Sequence, residues 1–128
     1  MEHEELTRKI IGCAMTVHSA LGPGFLESVY QNALVHEVRK TGLEVECEKK
    51  IRVTYDDVVV GDFSADMLVQ NLILIENKAV QALIPAHEVQ LVNYLMATGI
   101  EIGLLLNFGA ARLEYKRKIR TCQPKEKV

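Results

Sequence analysis

Apolar residues recur at helical spacing through Leu6, Ile10, Cys13, Ala14, Val17 and Leu21, so an amphipathic helix is predicted from about Glu2 to Ala20. Gly22-Pro23-Gly24 stops it. A second stripe, Leu26, Val29, Tyr30, Ala33, Leu34 and Val38, predicts a helix from near Phe25, with Gly42 placed for a left-handed C-terminal cap. The two form a helical hairpin. From Leu43 the period changes to two: Val45, Cys47, Lys49, Ile51, Val53 and Tyr55 alternate with charged residues, Asp56-Asp57 reads as a turn, and Val58-Val59-Val60 opens a second strand that bends at Gly61. Pairing continues through Phe63 to Val69, a turn at Gln70-Asn71, and Leu72 to Lys78, a strand apolar enough to be central. Pro85 opens a third helix that ends at Gly99. Ile100 to Phe108 reads as a buried strand, and Leu113 to Ile119 as an edge strand with Leu113, Tyr115 and Ile119 inward and Lys116, Lys118 and Arg120 outward.

Composition narrows this to one soluble globular domain spanning 1–128. The chain has 128 residues, 48% apolar and 25% charged, enough for one core and too short for two comfortable ones. Only Gln123 to Val128 read as frayed. A formal charge of −2 supplies no global basic field for nucleic acid. Basic residues do cluster at Arg39-Lys40, at Lys49-Lys50-Ile51-Arg52 and from Lys116 to Arg120, as solvated faces or as walls of a cleft. Cys13, Cys47 and Cys122 lack any paired zinc or redox spacing and read as reduced thiols of a cytoplasmic protein. The N-terminus is acidic where a signal peptide would be basic, and no apolar run approaches the roughly 18 residues of a membrane span.

The candidate chemistry sits on the strands. Glu76 and Lys78 point to one face because strand side chains alternate. A two-residue loop at Gln70-Asn71 would pair Val69 with Leu72 and put Asp66 on the opposite face from Glu76. A three-residue connection with Asn71 left-handed brings both acids onto one face, and that odd-length turn is the expectation. Asp66 and Glu76 would then offer oxygen ligands to Mg²⁺ or Mn²⁺, with Lys78 beside them to position or deprotonate a water, or to stabilise charge building on phosphate oxygens. An isolated Glu-x-Lys is more often a surface pair; this one follows four apolar residues, which places it at the end of a central strand. Glu27 stands in the first turn of the second helix, where the dipole favours any carboxylate, yet it shares a stripe with Tyr30, Gln31 and Leu34 and can supply a third metal ligand. On the third helix His87, Gln90 and Tyr94 form a polar stripe able to face a cleft and hold substrate, or to sit at the core's edge.

Taken together, these residues resemble the GxxExxY proteins, a branch of the PD-(D/E)xK nuclease superfamily. Gly24, Glu27 and Tyr30 complete the name-giving motif; Leu21-Gly22-Pro23-Gly24 and Leu106-Asn107-Phe108-Gly109 are similar to that family. Asp66 matches the first acid, Glu76 and Lys78 the second motif, and Gln90 with Tyr94 the Gln-x-x-x-Tyr element of RecB-like nucleases. The resemblance spans about Leu21 to Ile119. It implies an α/β restriction-endonuclease-like core, a mixed sheet flanked by helices, with Mg²⁺ or Mn²⁺ held by Glu27, Asp66 and Glu76. It further implies Lys78, Glu76 and Asp66 as catalytic residues, Gln90 and Tyr94 as substrate-binding ones, and DNA or RNA as substrate; the expectation here is DNA before RNA, with His87 and Tyr30 as further substrate-binding residues. Two departures bear on substrate affinity. Ser64 stands where an Arg is expected, and Asn77 replaces an apolar residue between Glu76 and Lys78, which predicts a less buried opposite face there. Two other readings stand beside this one: a non-catalytic nucleic-acid-binding or protein-interaction module on the same fold, and a metal-dependent hydrolase of a small phosphorylated compound. Cutting both strands of a duplex with so small a domain calls for two sites, hence a homodimer.

Overall fold

The computed structural model describes residues 3–120. The expected helix start at Glu2, Cys122 and the segment 123–128 lie outside the described residues. Two helices come first, α1 (Glu4–Leu21) and α2 (Glu27–Lys40), followed by β1 (Val45–Tyr55), β2 (Val58–Val69), β3 (Ile73–Lys78), α3 (Pro85–Thr98), β4 (Ile102–Asn107) and β5 (Glu114–Ile119). The five strands form one mixed sheet in the order β1-β2-β3-β4-β5. Only the β3–β4 pair is parallel, joined through α3. No helix among the described residues is long and apolar enough to cross a membrane.

Both faces of the sheet are covered, as near-continuous apolar runs require. Ile10, Ala14 and Val17 of α1 and Leu34 and Val38 of α2 bury one face with Met67, Val69, Ile73, Ile75, Ile102 and Leu104. Leu91 and Leu95 of α3 bury the other against Ile51, Leu68, Leu74 and Leu105. Gly103 on β4 allows α3 its close approach: a Cβ there would stand 2.8 Å from the Leu91 Cδ1.

Two turns set the register. Asp56 and Asp57 both take positive φ, 52° and 62°, and close a two-residue hairpin that pairs Tyr55 with Val58. The register slips between Val53 and Thr54, opposite Gly61, where the bend was expected. The β2–β3 loop has three residues, pairing Val69 with Ile73. Both Gln70 and Asn71 are left-handed, at 54° and 57°. Gln70 tolerates this because two bonds hold it to Glu44, its N–H donating to the Glu44 carbonyl at 2.9 Å and its Oε1 accepting from the Glu44 N–H at 2.6 Å.

Two expectations fail at the edges. Tyr115 and Ile119 of β5 are 45% and 47% exposed, while Arg117 and Lys118 are half-buried. The strand is flanked by a helix on each side and its cations find partners there: Lys118 Nζ donates to Glu88 of α3 at 2.9 Å. Asn77 is fully buried, so the sheet face behind it is no less covered than elsewhere. Its Nδ2 donates to Met67 Sδ at 3.4 Å and its Oδ1 has no hydrogen-bond partner among the described residues.

Candidate active site

The backbone ladder between β2 and β3 runs from Val69↔Ile73 to Met67↔Ile75 and then gives way to side chains. Glu76 Oε2 accepts the N–H of Asp66 at 2.9 Å, and Asp66 Oδ2 accepts the N–H of Asn77 at 2.7 Å. Each carboxylate thus caps the strand opposite, where β2 leaves β3 and continues with β1 alone. The odd-length loop places Asp66 and Glu76 on the face covered by α3, as the parity argument requires. Each keeps one carboxylate oxygen with no protein hydrogen bond among the described residues.

This pairing is electrostatically costly. Burial, then repulsion from Asp66, pushes the Glu76 carboxyl up to about 8. Burial pushes Asp66 up to about 6, opposed by the Asn77 N–H and helped by the charges of Glu27 and Glu48. Lys78 is the cation that lowers both. A buried Glu76 and a half-buried Asp66, short of positive charge and each with an unused oxygen, are a hard-cation donor set. Among the described residues no three His, Cys, Asp or Glu side chains are gathered as a metal cluster. The close unit is the pair, and Glu27, exposed at the first position of α2, flanks it.

Glu48 was not anticipated. It lies on β1 opposite Asp66 with φ 52°, the one left-handed residue within a strand among the described residues, and its Oε2 accepts from Gln31 Nε2 at 2.8 Å. Gln31 also reaches the Asp66 carbonyl at 3.5 Å. An alternating pattern of charged residues on β1 gives no hint that one of them turns toward the acids; the strained φ shows only in the structure.

Tyr30 does not line the cleft. It is fully buried, stacked on Phe108 with ring centroids 5.0 Å apart, and its hydroxyl donates to the Gly22 carbonyl and accepts from the Phe25 N–H at 3.1 Å. Its contacts pin the α1–α2 loop and thereby the start of α2, where Glu27 sits; no surface is left for a substrate. His87 is half-buried and uses Nδ1 to accept the Ile84 N–H at 3.1 Å, capping α3. Gln90 and Tyr94 line a groove between α3 and the β1–β2 arm. Burial raises the Tyr94 hydroxyl, as do the charges of Glu76 and Asp66, so the groove opens beside the acids.

Lys78 is held from behind by a network that spacing alone could not reveal. Residues 79–84 link it to α3 without regular structure. Asn107, fully buried and paired with Lys78 across the parallel ladder, accepts from the Val80 N–H at 2.9 Å and the Gly109 N–H at 3.0 Å, and donates to the Val80 carbonyl and to Glu114 Oε1 at 2.9 and 2.8 Å. Glu114 Oε1 also accepts from Leu83 at 3.1 Å, while the Phe108 N–H donates to the Lys78 carbonyl at 2.9 Å. All four hydrogen-bonding positions of the Asn107 amide are used. A Cβ on Gly109 would stand 2.5 Å from the backbone of Ala79 and Val80, so only glycine allows this approach. Asn107→Ala is expected to cost on the order of 3 kcal/mol by stranding buried backbone groups, read as a fall in the denaturation midpoint.

A family model described as the PD-(D/E)XK nuclease superfamily matches residues 4–118. Among solved structures, the protein titled "Crystal structure of SSO0001" aligns with a TM-score of 0.58 at 18% identity, over 94% of this chain and 61% of that one. An alkaline exonuclease, LHK-Exo, from Laribacter hongkongensis aligns with a TM-score of 0.53 at 16% identity, over 87% of this chain and 69% of the other. This chain therefore spans about three fifths of the first and two thirds of the second. No curated protein sequence matches it.

Proposed function

Because the chain belongs to the PD-(D/E)XK nuclease superfamily, we propose that it hydrolyses phosphodiester bonds of DNA, with Mg²⁺ or Mn²⁺ held by Asp66 and Glu76 and flanked by Glu27. Nucleases of this superfamily generally use divalent metal ions. The observation that carries the proposal is the Asp66–Glu76 pair: a half-buried and a buried acid with raised pKa values, joined to each other's strand and facing α3 beside Lys78. A structural ion pair would put a cation between them; here two acids share the space. The exonuclease named above is similar in fold, which agrees with this reading.

A divalent cation at this pair would supply Lewis-acid polarisation of the scissile phosphate. The chain's own residues supply the rest. Lys78 offers positive charge where negative charge develops on the phosphate oxygens, and its placement at the strand end is held by the Asn107–Glu114 network. Gln90 and Tyr94, on the facing helix, orient the substrate, and Glu48, held by Gln31, adds negative charge beside Asp66. The GxxExxY and RecB-like assignments fit this arrangement, since Tyr30 fixes the loop that carries Gly24 and Glu27. The proposal extends to a cytoplasmic homodimer of single-domain chains.

The test is titration of Mn²⁺ into the purified protein and its Asp66→Asn variant by calorimetry, with fluorescent DNA and RNA cleavage alongside. Saturable binding lost in the variant and metal-dependent cutting of DNA are expected. Binding without cutting of either polymer would remove the nuclease reading and leave a non-catalytic binding module on this fold.

A further inference from the structure

The groove between α3 and the β1–β2 arm encloses about 860 Å³, and none of its lining residues carries a formal charge. Val89 and Met96 on one wall are 58% and 49% exposed, and Phe63 on the other is 45% exposed. Such a concentration of bare apolar side chains marks an interaction site. The Phe63 ring is held in place: its Cε2 and Cζ atoms occupy the space beside Gly61 that a Cβ would fill, at 2.8 and 3.2 Å. The Tyr94 ring stands 5.9 Å away, tilted by 37°. Gln90 and Asn93 add amides to the same lining.

We propose that this groove receives unstacked bases of a single-stranded segment next to the scissile phosphate, so that the substrate is a single strand or a frayed end rather than an intact duplex. The inference rests on the nuclease reading above. Continuity with the acids picks out the occupant: Tyr94 lines the groove and packs against the cluster of Ala65, Leu68 and Leu74 that flanks Asp66 and Glu76, so a strand whose phosphate lies at the acids has its neighbouring bases at Tyr94 and Phe63. An uncharged apolar lining is a poor seat for phosphates and a good one for bases, which stack on aromatic rings whatever their sequence. Amides such as Gln90 and Asn93 can bond base edges that a duplex keeps paired. In a duplex the same bases would first have to leave the stack.

The test compares a short DNA strand carrying 2-aminopurine with its duplex, on the full chain and on Phe63→Ala and Val89→Glu. Val89 is exposed on α3, so its replacement leaves the core untouched if Phe63→Ala fails to fold. Quenching is read in chelator, and single-turnover cleavage in Mn²⁺. The single strand is expected to be quenched and cut about tenfold faster than the duplex, and each variant to lose about that factor on the single strand alone, the equivalent of roughly 1.4 kcal/mol of stacking. Equal handling of strand and duplex overturns the proposal, as does single-strand cleavage that both variants leave unchanged. If Val89→Glu instead turns a dimer into a monomer by sedimentation while the strand preference stays put, the groove belongs to a second copy and the proposal falls. Cleavage without strand preference removes the groove's role only. Quenching without cleavage in Mn²⁺ removes the nuclease reading and keeps the groove.

Discussion

Glu76→Gln should make the metal-free protein more stable at pH 8 and unable to cut nucleic acid. Glu76 is 6% exposed and its carboxyl is pushed up to about 8 from an ordinary 4.5, and that of Asp66 to about 6 from 3.8. The native state therefore keeps protons that the unfolded chain has already released between pH about 4 and about 8. Stability falls wherever the native state binds more protons as pH rises. The pair's contribution is neutral below about pH 4, is lost progressively through that window, and stands as a full penalty above about pH 8. The amide introduced by Glu76→Gln would keep an acceptor for the Asp66 N–H and offer a donor to the Asp66 carboxylate, so the variant escapes the penalty without losing the strand bond. The gain is on the order of a few kcal/mol at pH 8 and should vanish near pH 4, measured by thermal melts in chelator across that range. Added Mn²⁺ should raise the melting temperature of the wild type and leave the variant where it was. A variant no more stable than wild type at pH 8 would show that these acids carry no repulsive strain, and with it would go the reason to place a cation there.

The two successive hairpins and the edge position of the last strand were legible because alternating or apolar runs are separated by turn residues, while the mixed sheet was expected from the resemblance. Parity alone demanded an odd loop for Asp66 and Glu76 to share a face, and Gln70-Asn71-Leu72 is that loop. Legibility ended where a side chain's role is decided by its neighbours in space. Tyr30 sits on a helical stripe beside Gln31, yet one is sealed in the core and the other bonds Glu48 at the site. Asn77 read as a sign of exposure because a buried amide needs partners; it is buried with one oxygen unpaired. The edge strand β5 misled for the opposite reason, since long cationic side chains can lie half-buried with a carboxylate while apolar ones face out. Asn107 and Gly109 stood out only as part of a motif, and their clamp on the segment after Lys78 follows from a parallel pairing that no local spacing reveals.

Lys78→Met should also cut cleavage severely and change stability with the opposite sign. Lys78 lies on the α3 face with Glu76, half-buried, and its charge lowers both carboxyl pKa values. Met keeps the length and the apolar stem and removes only the cation. Single-turnover cleavage should fall by about 10² to 10³, the usual cost of losing one group aimed at charge that develops in the transition state. Stability at pH 8 should fall, because a cation that lowers both carboxyl pKa values has been deleted. Mn²⁺ binding should survive, since neither acid is touched, although protons compete for the pair up to a higher pH. Two inactive variants two residues apart, one more stable than wild type and one less, would separate the acids' role from that of the lysine. No general loss of packing produces that pair of signs. Wild-type turnover by Lys78→Met at saturating substrate would remove the lysine from the chemistry, and the Asn107–Glu114 clamp behind it would then be holding the end of a strand and the start of α3 for the sake of the fold alone.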